Sequence, residues 1–226
     1  MLELNKLYNM DCMEGMKQFP DKYFELAIVD PPYGIGESGD KNHTRTKLAR
    51  AKDYKSFSGN DKEPPPKEYF IELFRVSKNQ IIWGANHFIS RMPHDSSCWI
   101  VWDKQNGEND FADCELAWTS FKRSVRQFTF RWAGMLQGDM KNKEFRIHPT
   151  QKPIALYKWL LTNYAKPGDK ILDTHVGSAS SLIACYEYGF DFIGFEIDKD
   201  YYEAAQKRLQ AVMSQISMFR EVRHEK

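Results

Sequence analysis

Short apolar runs alternate along this chain with segments whose apolar residues recur at helical spacing, and this alternation constrains the fold most. The runs predict strands over 24–29, 80–84, 98–102, 170–174 and 190–197. The amphipathic segments predict helices over 66–77, 153–165, 178–188 and 199–216. Strands that alternate with helices are typical of an α/β domain. Segment 114–132 alternates in part and predicts antiparallel strands added to the sheet, whereas the polar stretch 35–63 predicts a long loop.

The size and composition of the chain favour one domain over residues 1–226. The sequence has 226 residues, of which 42% are hydrophobic, and this is enough for one substantial core. No apolar stretch is long enough to cross a bilayer and no signal segment opens the chain, so we expect a cytoplasmic protein without a membrane partner. The cysteines lack CxxC spacing and a nearby histidine pair, which argues against a metal site and a disulfide framework. They are Cys12, Cys98, Cys114 and Cys185.

The net charge of +1 does not by itself indicate a nucleic-acid partner, but the basic residues are unevenly distributed. Segment 41–55 holds six basic residues against Asp53, and segment 122–146 holds seven against Asp139 and Glu144, so each is net +5. Such segments can neutralise phosphates, and they can equally form solvated faces.

A candidate active site follows the first predicted strand. Asp30-Pro31-Pro32-Tyr33 comes directly after the apolar run 26–29, and the chain must turn there because proline fixes φ and lacks an N–H. In an open parallel sheet, ligands bind outside the carboxyl ends of strands. An acid, a rigid carbonyl and an aromatic ring at that position are suited to chemistry, although a strand that ends in an ordinary proline turn explains the same residues.

A second candidate site follows the strand predicted at 170–174. Asp173 ends that strand, and small residues around Gly177 and Ser178 open the next helix, where the backbone can approach a ligand closely. Glu196 ends the following strand and can accept hydrogen bonds from a ribose diol. The loop has a single glycine, which gives little support to a pyrophosphate, and the negative Asp173 suits a cationic cofactor better. An ordinary βαβ crossover with a turn of small residues remains an alternative.

A third motif, His148-Pro149-Thr150-Gln151-Lys152-Pro153, precedes the helix predicted at 153–165. With this segment, the three motifs together resemble the amino-group DNA methyltransferases, in the β order that has the catalytic motif before the cofactor motif. The resemblance covers roughly residues 8–205. Family members commonly have Asp-Pro-Phe before the loop and a second glycine after the serine, where this chain has Asp173-Thr174-His175 and Ala179.

The resemblance implies a three-layer S-adenosylmethionine-dependent methyltransferase fold, with a mostly parallel seven-stranded sheet that is flanked by helices and whose last strand runs antiparallel. It implies that Asp30, Pro31, Pro32 and Tyr33 are catalytic. The cofactor-binding residues that it implies are Asp11, Thr150, Gln151, Lys152, Asp173, Gly177, Ser178 and Glu196. It also implies target-recognition insertions near 36–63 and 105–147, and double-stranded DNA as the substrate. A second subunit and a restriction endonuclease are the further partners to which it points.

The chemistry of the catalytic motif supports methylation of an exocyclic amine. Such an amine is a poor nucleophile, and the Asp30 carboxylate and the Pro31 carbonyl can accept its two hydrogens. Methylation at cytosine C5 instead needs a cysteine nucleophile, typically after a proline, and none of the four cysteines follows one. Tyr33 supplies a ring on which a flipped-out base can stack. Because Asp rather than Ser leads the motif, the resemblance favours adenine N6 as the target.

Three alternatives stay open at this stage. The target amine can be cytosine N4, which the same family also methylates. The chain can be an RNA or protein amine methyltransferase, since related proline-tyrosine motifs serve there too. It can also be a DNA-binding relative without catalysis, since Thr174, His175 and Ala179 depart from the usual cofactor loop.

Overall fold

The computed structural model describes residues 1–36, 61–107, 112–133 and 136–224, with side chains up to residue 215. The strands are β1 Lys6–Asn9, β2 Phe24–Val29, β3 Ser77–Trp83, β4 Trp99–Asp103, β5 Cys114–Thr119, β6 Arg126–Thr129, β7 Trp132–Ala133, β8 Leu136–Gln137, β9 Lys170–Asp173 and β10 Asp191–Glu196. The helices are α1 Cys12–Met16, α2 Lys67–Val76, α3 Ile154–Tyr164, α4 Ser180–Tyr188 and α5 Lys199–His224. Short 3-10 turns occupy Ala85–His87 and Ile89–Arg91.

One large sheet organises the chain. Its strand order is β1-β10-β9-β2-β3-β5-β4-β6, and every neighbouring pair is parallel except the two that involve β5. The predicted α/β fold with a mostly parallel sheet is therefore confirmed. This sheet has eight strands rather than seven, because β6 pairs with the outer edge of β4. The antiparallel strand of this sheet is β5, which lies between β3 and β4, and β10 runs parallel to both of its neighbours.

Helices cover both faces of the sheet and give it three layers. Residues of α3, α4 and α5 pack in one apolar cluster with Leu26 and Ile28 of β2. Residues of α1 and α2 pack in the other with Ala27 and Val29. A strand that is buried on both faces needs apolar side chains at every position, which is why β2 is uninterruptedly apolar from Leu26 to Val29, after the partly exposed Glu25.

The parallel register brings the carboxyl ends of several strands to one edge of the sheet, which we call the carboxyl edge. Gly194 of β10 is opposite Asp173 of β9, and Leu172 of β9 is opposite Ala27 of β2. Because β5 runs the other way, its first residues, Cys114 and Glu115, lie at the same edge.

The predicted elements occur where the apolar pattern is strong. All five predicted strands and all four predicted helices are present, and 24–29 has its predicted bounds. In segment 114–132, β5 is antiparallel as predicted, but β6 runs parallel to β4 because the chain crosses to the far side of β4 before pairing. The short β1 and α1 were not predicted. Most of the predicted loop 35–63 lies outside the described residues, and none of the described helices is long and apolar enough to cross a membrane.

Candidate active site at the carboxyl edge of the sheet

Asp30 and Tyr33 contact each other directly after β2. The Tyr33 hydroxyl donates to Oδ1 of Asp30 at 2.7 Å. Pro31 is buried and Pro32 is half-buried, so the turn between the two side chains is fixed in place. Burial raises the pKa of Asp30, and the positive charge of Lys152 opposes this effect. A hydrogen bond therefore joins Asp30 and Tyr33, the acid and the aromatic residue of the predicted motif.

Lys152 brings the third motif to the first. Its side chain is only 3% exposed, and its ammonium donates to Oδ2 of Asp30. The same nitrogen lies 3.2 Å from the Tyr33 hydroxyl. Burial lowers the pKa of Lys152, but the carboxylates of Asp30 and Glu115 outweigh it and raise the pKa above its usual value. A buried ammonium is thus paired with the carboxylate that the sequence marks as catalytic.

Two charged residues that the sequence reasoning did not select complete this cluster. Oε2 of Glu115 lies 3.0 Å from Lys152 Nζ, and Oε1 of Glu115 forms an ion pair with Lys104. Burial raises the pKa of Glu115, yet Lys152 and Lys104 together lower it to about 2. The four charges alternate in sign from Lys104 to Asp30 and balance one another.

The ring of Tyr33 is closely packed. It stacks on the exposed His87 with ring centroids 5.0 Å apart and an angle of 15° between the planes. Gly84 approaches the ring so closely that a Cβ there would lie 2.0 Å from Cε1 of Tyr33. Asp61 Oδ1 accepts hydrogen bonds from the backbone N–H groups of Tyr33 and Gly34, at 2.7 and 2.9 Å. A glycine and a carboxylate far along the chain therefore fix the position of this tyrosine.

Asp173 lies at the end of β9 and is 2% exposed. Oδ2 accepts from the Ser181 hydroxyl at 2.5 Å, and Oδ1 accepts from the His175 N–H at 3.0 Å. Burial raises the pKa of Asp173 to about 7. No lysine or arginine pairs with this carboxyl among the residues that the structure describes. The group is held in place by neutral donors, and its charge is left without a counter-ion.

Glu196 ends β10 beside the loop that follows Asp173. Its Oε2 accepts from the N–H of Gly177 at 2.8 Å, and its Oε1 accepts from the N–H of Asp198 at 2.9 Å. Gly177 has φ +54 and a ring carbon of His148 would lie 3.5 Å from a Cβ at this position. Burial raises the pKa of Glu196. Two backbone donors therefore orient a second buried carboxyl at the same edge.

The residues that depart from the family pattern form their own hydrogen bonds. Thr174 Oγ1 lies 2.6 Å from the Tyr69 hydroxyl and 2.9 Å from Nδ1 of His175. Burial lowers the pKa of His175 to about 4, so the ring is neutral at pH 7. Ala179 has φ +63, a left-handed conformation that strains a residue with a Cβ. The hydrogen bond from Tyr69 of α2 thus helps to hold Thr174 and His175 in place. Ala179 adopts a strained backbone conformation at the start of α4.

The remaining predicted cofactor residues have structural partners. Asp11 caps α1 by accepting a hydrogen bond from the Met13 N–H at 2.7 Å. Helix α1 follows β1, which is paired with the strand of Glu196.

The N–H and the hydroxyl of Thr150 both lie within hydrogen-bond distance of His148 Nδ1, at 3.3 and 3.1 Å. Gln151 accepts from Ile147 N–H at 2.9 Å. Ser178 Oγ lies 3.1 Å from Ser180 Oγ. Within the segment Thr150 to Lys152, Lys152 is the residue that contacts Asp30 in the described part of the chain.

The structure divides the second basic segment between two edges of the sheet. Lys122, Arg123 and Arg126 precede or open β6, at the edge opposite Asp30, because β6 runs parallel to β4. Arg131 follows the carboxyl end of β6, and the Arg146 guanidinium lies over the Trp132 ring at 4.4 Å. Segment 41–55 lies outside the described residues. Only the later part of 122–146 can therefore contribute charge at the carboxyl edge.

Among the described residues, no group of three or more His, Cys, Asp or Glu side chains is arranged to hold a metal ion. The described cysteines are free thiols: Cys98 and Cys185 are buried, Cys12 is half-buried and Cys114 is exposed.

Both the sequence and the fold of this chain are similar to those of known methyltransferases. A family model described as DNA methylase matches residues 37–207. The chain is 25% identical to the type II methyltransferase M.HinfI of Haemophilus influenzae, over 92% of this chain and 69% of that protein. The fold resembles the M1.HpyAVI–SAM complex, with a TM-score of 0.53, 22% identity and coverage of 90% and 98% of the two chains. It also resembles the cytosine-N4-specific PvuII DNA methyltransferase, with a TM-score of 0.57, 12% identity and coverage of 93% and 92%.

Proposed function

Since the chain belongs to the DNA methylase family, we propose that it transfers a methyl group from S-adenosylmethionine to the exocyclic N6 amine of adenine in double-stranded DNA. The observation that carries this proposal is the Asp30 carboxylate, which is held by Tyr33 and Lys152 at the carboxyl edge, beside two buried carboxyls that have no cationic partner among the described residues.

The residues of the second site fit a cationic cofactor. Asp173 and Glu196 are buried, burial raises the pKa of both, and no ion pair compensates either within the described part of the chain. A buried carboxylate is stabilised when a cation approaches it. S-adenosylmethionine supplies a methyl group on a positively charged sulfonium when it is bound. Asp173 would face the charged end of this cofactor, Glu196 its ribose diol, and the backbone around Gly177 and Ser178 would allow close approach.

Asp30 can accept a hydrogen from the target amine without losing its present partners. An ionised carboxylate has about four lone-pair sites, and the protein uses one on each oxygen of Asp30. The free sites can accept an amine hydrogen, which localises the lone pair on nitrogen. As the new N–C bond forms, the bond between the methyl group and sulfur breaks, and its electron pair leaves with sulfur as a neutral thioether. The methylated amine carries an acidic proton, and Asp30 or water accepts it. We propose that the base reaches this site by flipping out of the duplex, because the amine is not accessible inside the helix.

Tyr33 has a different environment from the one expected of an open stacking platform. The His87 ring already stacks on it, so a flipped base either displaces His87 or packs against the edge of the pair. The choice of adenine over cytosine is supported by the aspartate that leads the motif, and it is the part of the proposal that most needs a direct assay.

The test is transfer of a labelled methyl group from S-adenosylmethionine to double-stranded DNA, followed by mass spectrometry of the nucleosides. We expect N6-methyladenine. Asp30→Asn should abolish transfer while it leaves cofactor binding intact by calorimetry. Asp103→Asn is the matched control, since Asp103 also ends a strand of the sheet but accepts only from the Gln105 N–H and Gln127 side chain. N4-methylcytosine would overturn the assignment of the base, label found only in RNA or protein would overturn DNA as the substrate, and no transfer at all would refute the enzyme.

A further inference from the structure

Three oxygens surround the ammonium of Lys152, and an ammonium has three N–H donors. They are Oδ2 of Asp30, the Tyr33 hydroxyl at 3.2 Å and Oε2 of Glu115 at 3.0 Å. The indole of Trp83 lies against the same group, with its ring centroid 5.5 Å from Nζ. Asp30 and Tyr33 accept hydrogen bonds from the ammonium, and Glu115 adds an ion pair that competes with Asp30 for its charge.

We infer that Glu115 is a positioning residue for methyl transfer: it shares the Lys152 ammonium with Asp30, so that the Asp30 carboxylate keeps lone pairs for the target amine. This role rests on the proposed function. Without Glu115, the ammonium can place two N–H groups on Asp30, because Tyr33 alone remains to compete for them. Lys104 holds the other oxygen of Glu115 and fixes its direction.

The position of Glu115 in the fold explains how it reaches the site. It is the second residue of β5, and that strand alone runs against the sheet, so its beginning rather than its end lies at the carboxyl edge. Trp83 of β3 is opposite Ala117 of β5, two residues from Glu115. A strand that ran parallel would bring its last residues, not Glu115, beside Asp30.

The charges of Glu115 and Lys152 shift the pKa of Asp30 in opposite directions. Glu115 raises the pKa of Asp30 and Lys152 lowers it. The other titratable groups that face this carboxyl are Tyr33, Tyr69, Tyr157 and Asp173. Glu115→Gln should therefore lower the titration midpoint of Asp30, whereas Lys152→Met should raise it. If Glu115 only supported the fold, Glu115→Gln would leave the titration midpoint of Asp30 unchanged.

The experiment measures the Asp30 carboxyl by carbon-13 NMR titration, assigned by its loss in Asp30→Asn, and then kcat and KM of the full chain. Glu25→Gln is the matched control, because Glu25 also pairs with two lysines, Lys78 and Lys170, at 3.0 and 3.3 Å, but near the amino end of β2. We expect Glu115→Gln to lower kcat by about tenfold to about a hundredfold with little change in KM, and Glu25→Gln to leave both unchanged.

A second variant keeps the inference testable if Glu115→Gln folds poorly. Glu115→Asp retains the charge and shortens the side chain, so the Asp30 midpoint should stay near that of the wild type while kcat falls part of the way. The inference is overturned if Glu115→Gln behaves like Glu25→Gln in the titration or in kcat. A wild-type chain that transfers no methyl group refutes the proposed function, and this role with it, whatever the titration gives.

Discussion

Asp173 should make the folded protein less stable as the pH rises, and Asp173→Asn should remove this effect. The carboxyl has a usual pKa of 3.8, and burial raises it to about 7. Asparagine has nearly the same shape and can still accept from Ser181, but it does not ionise. Asparagine keeps only one of the two hydrogen bonds that Asp173 accepts, but this loss is the same at every pH. The pH dependence of the difference between the two proteins therefore isolates the cost of a buried charge that has no counter-ion in the described part of the chain.

The size and sign of the effect follow from the two pKa values. Between pH 3.8 and about 7, the unfolded carboxyl has lost its proton and the folded one has kept it, so the free energy of unfolding falls as the pH rises. Each pH unit in this window costs about 1.4 kcal/mol. The slope falls near the folded pKa, where half of the folded carboxyls have lost their proton. From pH 5 to pH 7 the wild type should thus lose about 2 kcal/mol relative to Asp173→Asn, and the difference should level off above the folded pKa.

Urea unfolding of both proteins at pH 5, 6, 7 and 8, without cofactor, measures this difference. All other titrating groups are shared, so subtracting the two curves at each pH removes their contributions. A constant difference across the range would show that Asp173 is ionised throughout or is not buried in solution, and it would refute the reasoning. Repeating the series with S-adenosylmethionine adds a second check, because a bound cation should flatten the wild-type curve.

The remaining predictions concern the geometry of the site. Gly84→Ala should displace the Tyr33 ring and reduce the transfer rate sharply, because the new Cβ would lie 2.0 Å from the ring. Gly168 also has a positive φ but has open space around it, so the control Gly168→Ala should lower only the melting temperature. Tyr33→Phe should reduce the single-turnover rate by about tenfold, since one hydrogen bond to the Asp30 carboxylate is lost, and a larger loss than in Tyr33→Ala would contradict this role. Glu196→Gln should weaken cofactor binding by about tenfold or more in calorimetry, and unchanged binding would exclude Glu196 from the cofactor site.

The sequence was sufficient to predict that three candidate residues at the ends of buried strands lie at one edge of the sheet. Asp30, Asp173 and Glu196 each come after an apolar run, and parallel pairing then brings them to the same edge. Such a prediction needs only the local pattern and the rule that ligands bind at carboxyl ends. It succeeds because the strands involved are buried on both faces and therefore carry an unambiguous signal.

Glu115 and Lys104 could not be predicted in this way. Their importance depends on which strand lies beside β3 and in which direction it runs, and neither is encoded in the residues around them. The same is true of Lys152, which meets Asp30 across 122 positions of the sequence. The helix that follows Lys152 was predicted, but the direction of its side chain is set by tertiary packing.

The distribution of charge along the carboxyl edge fits the two ligands of the proposed reaction. Around Asp30, two carboxylates and two ammonium groups balance, which suits a neutral amine that must be bound without a net field against it. Around Asp173 and Glu196 the carboxyls are uncompensated among the described residues, which suits a cation. The two halves should therefore respond differently to substitution, although the Asp30 charge contributes to the raised pKa of Asp173. Loss of the Asp30 charge should impair chemistry with little effect on cofactor affinity, whereas loss of the Asp173 charge should weaken cofactor binding while it stabilises the empty protein.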